Sequence, residues 1–136
     1  MTHPISQIIV LLVVGAIALI IGGYIQMDPV AFYAGTGIEL GNQTALKNEL
    51  KAAAGFLLTA GFLALLAAAI TQLRTFALTT LVLINGTYGG ARILSFLADG
   101  VPNAEMVWIA GIELALAAAC AAVLIRAMRT LNPMVA

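Results

Sequence analysis

Charge is the scarcest property of this sequence: only 9% of its 136 residues are Asp, Glu, Lys or Arg, and six cations balance six anions. So little polar surface does not cover a soluble globule, and lipid must supply the solvent. A chain with no basic field also offers nothing to nucleic-acid phosphates, and no polybasic cluster is present to anchor it on anionic headgroups, so a nucleic-acid partner is excluded. Histidine occurs once, at His3, and cysteine once, at Cys120 inside an apolar run. A single thiol closes no intrachain disulfide, and a zinc centre or an assisted cysteine nucleophile needs partners that are lacking. No metal and no cofactor is expected, and Cys120 reads as a small core residue.

What the chain has in abundance is apolar length. Hydrophobic residues make up 62% of it and its mean hydropathy is +1.08. Four apolar runs, 5–25, 52–70, 76–98 and 104–125, each approach the ~20 residues that cross a hydrocarbon core of about 30 Å. They predict an all-α, four-transmembrane-helix bundle forming a single integral membrane domain over residues 1–136. Its helices are expected at about 5–25, 45–72, 75–98 and 104–127, with an outer loop over 26–44. The leader Met1-Thr2-His3-Pro4 carries no Lys or Arg, so the first run is expected to stay as a helix rather than serve as a cleaved signal.

The few cations set an orientation. Arg74 lies between the second and third runs, and Arg126 and Arg129 follow the fourth, whereas Asp28, Glu39, Asp99 and Glu105 gather on the other side with Lys47 and Lys51. The bias places both termini in the cytoplasm of a multi-pass cell-membrane protein. Asp28-Pro29 followed by Gly35, Gly37 and Gly41 suits a cap folded over the outer mouth rather than a separate domain. Trp108 and Tyr24 read as interfacial anchors. Small residues at Gly22, Gly23, Gly55 and Gly61, the Gly86/Gly90 pair and the alanines from 117 to 122 permit close helix approach. They serve an intramolecular bundle or a homo-oligomer equally well.

The third run carries the informative pattern. Asn85, Tyr88, Arg92, Ser95 and Asp99 are spaced three or four apart and fall within an arc of roughly 80°, so this face must turn to the bundle interior or to a watery cavity. Arg92 precedes Asp99 by seven residues and so lies about 10 Å from the helix end. Glu113 reaches a similar depth on the returning helix, and Glu49 opens the second helix near that level. An unpaired arginine there would cost several kcal/mol, about the effective penalty for burying a bare ion, so Arg92 is expected between Glu113 and Glu49, with Asn85, Tyr88 and Ser95 completing hydrogen bonds. The cluster is read either as an internal brace or as the lining of a pocket.

These residues resemble a family. Asn48-Glu49-Leu50-Lys51, Arg92-Ile93-Leu94-Ser95 running into Asp99-Gly100-Val101-Pro102, and Glu113 are similar to the bacterial four-helix membrane proteins of domain of unknown function 4345, over about residues 26–126. The layout is also distantly similar to DoxX-like proteins. The resemblance implies the four-helix fold and the cluster Glu49, Arg92, Asp99 and Glu113, but no activity. The chain departs from the family's usual pattern at Lys51, where arginine is common, and at Ala54-Gly55-Phe56, where a Tyr-Gly-Gly group is common. Three functions remain open: binding a lipid, isoprenoid or other small amphipathic molecule in the bundle; a membrane-embedded isomerase or cyclase using Glu49 or Glu113 as acid and base; and an accessory subunit of a membrane complex.

Overall fold

The computed structural model describes residues 3–131. Helix α1 spans His3–Met27, α2 Pro29–Ala34, α3 Thr44–Ala69, α4 Arg74–Asp99 and α5 Ala104–Leu131, with one 3-10 turn at Thr71–Leu73 before α4. No strand occurs among the described residues. In lipid only a helix satisfies its own backbone polar groups within one segment, and α1, α3, α4 and α5 are each long and apolar enough to cross a membrane. Their outward faces need such a solvent: Phe56 is 70% and Leu97 80% exposed. The chain is a multi-pass membrane protein built as a four-helix bundle.

The segment expected as an outer loop forming a cap carries α2. Asp28 caps it, accepting a hydrogen bond from the Ala31 amide on Oδ1 at 3.0 Å, and Pro29 takes the first turn, where its missing N–H costs nothing. Gly37 and Gly41 then turn the chain at φ +77 and +57. At the opposite end α3 breaks at Ile70, and the side chain of Arg74 folds back over the break. Its Nε and Nη2 donate to the carbonyls of Ala67 and Ala68 at 3.2 and 3.1 Å. The cation counted from sequence as a loop charge is thus buried as a helix C-cap.

The bundle is two tight pairs, α1 on α3 and α4 on α5, joined by thinner α1–α5 and α3–α4 seams. The first pair closes on glycine: a methyl at Gly61 would stand 2.6 Å from Leu19 Cγ and 2.9 Å from the Gly15 carbonyl. The Gly86/Gly90 pair does not have that role. A methyl at Gly86 would approach Ala117 Cβ only to 3.9 Å and one at Gly90 would meet nothing, whereas Gly89 lies under Leu114. Away from the α2 end the interior is solid, with Leu11, Leu78, Leu81 and Cys120 fully buried.

Candidate functional site

At the α2 end the pairs separate and enclose a cavity of about 320 Å³. Val14, Ile17 and Ile21 of α1, Leu50, Ala53, Ala54 and Leu57 of α3, and Ile109, Ile112 and Leu116 of α5 give it apolar walls. Leu81 and Ala60, both in its lining, belong equally to the packed core, so the cavity has a closed floor. From Arg92 to Leu81 it follows eleven residues of α4, about 16 Å at the helical rise. Tyr88 and Ile112 line it yet are 40% and 52% exposed, which puts them at its rim. Ala54 is buried in the wall.

The polar end comes from three elements. Helical spacing turns Asn85, Tyr88 and Arg92 of α4 into the cavity together. Arg92 meets Glu113 of α5 in a forked ion pair, Nε to Oε2 at 2.8 Å and Nη2 to Oε1 at 3.2 Å, with side chains 27% and 17% exposed. Bidentate geometry of this kind is the strong form of the contact. The Asn85 amide Nδ2 donates to the Leu81 carbonyl at 2.9 Å, within its own helix.

The remaining residues of the sequence pattern separate. Ser95 and Asp99 are exposed at the end of α4, the Ser95 hydroxyl donating to Asp99 Oδ2 at 3.0 Å. With Phe96, Val101 and Pro102 they line a second cavity of about 390 Å³, and Arg92 and Met106 border both spaces. Glu49 does not join the group. It is exposed, and Arg92–Glu113 is the one ion pair among the described residues. One residue rotates a helix by about 100°, enough to carry Glu49 off the face on which Leu50 meets the cavity. The three-charge cluster expected from sequence is therefore a pair.

The cap expected from sequence contributes two residues that the sequence did not single out. Tyr33 of α2 and the following Thr36 line the cavity beside Arg92. The Tyr33 carbonyl accepts from the amides of Thr36 and Ile38 at 3.0 and 2.9 Å and from the Thr36 hydroxyl at 2.8 Å, fixing this turn. Burial pushes the Tyr33 phenol above its ordinary pKa; the Arg92 charge pulls it back in part, and Tyr88 adds to the rise. Asn103 ties the cap to α5, its Nδ2 donating to the Thr36 carbonyl at 2.8 Å and its Oδ1 accepting from the Met106 amide at 3.1 Å. Asn103 before Ala104-Glu105 is a legible N-cap; Tyr33 sits in a stretch with no periodicity to mark it.

Asn103→Ala is expected to cost about 1–2 kcal/mol, the range of a lost N-cap, and to speed hydrogen exchange at Thr36 and Ile38. Unchanged exchange at those two amides would show that Asn103 does not hold the cap.

The sequence profile described as a domain of unknown function (DUF4345) matches residues 6–124. The chain belongs to this family. No curated protein and no solved structure matches it. The match begins ahead of the motifs and takes in nearly all of α1, so the family's extent includes every transmembrane wall of the cavity.

Proposed function

We propose that this DUF4345 protein holds a lipid, an isoprenoid or another small amphipathic molecule between its helix pairs. The observation that carries the reading is the cavity itself: about 320 Å³, mostly apolar along its length, closed below and bearing an ion pair at one end. Such a volume falls within the ~300–1,000 Å³ of small-molecule sites, which combine apolar walls with a few convergent polar groups. The rim at Tyr88 and Ile112 offers entry from the side. Arg126 and Arg129 at the end opposite α2 support placing both termini in the cytoplasm, and the bacterial resemblance supports the inner membrane as the location.

An isomerase or cyclase would need Glu49 or Glu113 as a free acid. Glu113 is committed to Arg92 and Glu49 lies off the cavity, so the geometry favours binding over proton transfer.

The test is mass spectrometry of small molecules extracted from gently purified protein, comparing wild type with Ala53→Phe, which places a ring in the cavity. A specific amphipathic compound enriched in the wild type and depleted in the variant is the expected result. No enrichment in either sample would contradict the proposal and leave the ion pair as an internal brace.

A further inference from the structure

We infer that the occupant of the intrabundle cavity presents an uncharged oxygen head, an alcohol or carbonyl, rather than a carboxylate or phosphate. This rests on reading the cavity as a ligand site and names the class of ligand.

The charges facing the cavity cancel. Arg92 contributes the cation and Glu113 the anion, while α1 and α3 contribute only apolar side chains to the lining and the cap only Tyr33 and Thr36 as polar ones. Two of the five guanidinium N–H donors are taken, since Nε and Nη2 each donate to a different oxygen of Glu113, and that contact neutralises the cation's charge. An anionic head would have to sit beside that carboxylate, or displace it and strand it in apolar surroundings without a partner, an expensive outcome in low dielectric. The other charged side chain bordering Arg92, Asp99 in the adjoining cavity, is also an acid and adds to the repulsion.

Beyond the ion pair, the polar groups that line the cavity are neutral. The hydroxyls of Tyr33 and Tyr88 make no hydrogen bond among the described residues, and Asn85, whose amide nitrogen is committed to Leu81, retains an acceptor oxygen. Two hydroxyls toward the Arg92 end of an apolar slot match a hydroxyl or ketone oxygen, with the apolar tail directed past Asn85 toward Leu81.

The experiment is equilibrium dialysis of the full-length protein in detergent with radiolabelled 1-dodecanol or dodecanoate, at a pH that keeps the acid ionised and with empty micelles subtracted. Saturable binding of the alcohol at least about tenfold tighter than that of the carboxylate is expected. Glu113→Gln, checked for helicity, removes the anion and frees the Arg92 charge, and is expected to move the preference toward dodecanoate by about tenfold. Should that variant not fold, the wild-type comparison decides alone. Tighter binding of dodecanoate to the wild type, or no change of preference in a folded Glu113→Gln, overturns the inference and leaves the cavity as a ligand site. Saturable binding of neither compound overturns the inference and the ligand-site reading together.

Discussion

Arg92→Ala is expected to destabilise the bundle by about 3 kcal/mol, toward the lower end for breaking a buried pair because both side chains keep some solvent contact. The cost comes from the survivor: Glu113 remains among Ile109, Ile112 and Leu116 with no cation. Replacing both partners, Arg92→Met with Glu113→Leu, is expected to return stability to within about 1 kcal/mol of wild type, since apolar substitutes of similar volume strand no charge. Unfolding in graded mixtures of mild and denaturing detergent, followed by circular dichroism, separates the cases. A single variant as stable as wild type would mean that the pair behaves as an exposed one, for which the loss is about 0–1 kcal/mol.

The second large effect is expected at the α1–α3 crossing. In Gly61→Ala the new methyl would lie 2.6 Å from Leu19 Cγ and 2.9 Å from the Gly15 carbonyl. A side chain moves aside more cheaply than a backbone carbonyl on a packed helix, so the helices themselves must part, at about 2–3 kcal/mol for an overpacked contact. Gly90→Ala is the matched control: nothing lies within 4 Å of the added methyl, and the helix gains about 0.5–1 kcal/mol from the better helix former. The same unfolding assay is expected to give opposite signs. Equal losses at both positions would show that glycine is required along these helices for some reason other than close packing.

These outcomes also mark what the sequence makes legible. The four spans are plain because lipid demands long apolar helices, and depth along two antiparallel helices is enough to match Arg92 with Glu113. Glu49 fails the same arithmetic because depth says nothing about azimuth: the neighbouring Leu50 faces the cavity and Glu49 does not. Spacing alone also nominates the wrong glycines. Gly86 and Gly90 carry the familiar interval, yet the close contacts belong to Gly15, Gly22, Gly61 and Gly89, whose partners lie on other helices, and of these the sequence pointed to Gly22 and Gly61. Tyr33 and Thr36 were hidden for a different reason. They enter the site through a six-residue helix and its turn, whose placement depends on Asp28, Pro29 and the reach of Asn103 rather than on periodicity.

The ion pair, the cap and the solid floor divide the bundle into a packed half and a hollow one. Leu11, Leu78 and Cys120 hold the first half together, so the second can enclose space without loss of the fold. That division explains why a chain of this size accommodates both a core and a cavity.

The most direct test of this account is photolabelling in proteoliposomes with a dodecanol analogue that bears a diazirine at its tail, the adducts being mapped by mass spectrometry. The account predicts adducts on Leu81, Ile84 and Leu116 deep in the cavity, suppressed by excess 1-dodecanol and in Ala53→Phe. Adducts confined to lipid-facing positions such as Phe56, Leu94 and Leu97, insensitive to competitor, would contradict it.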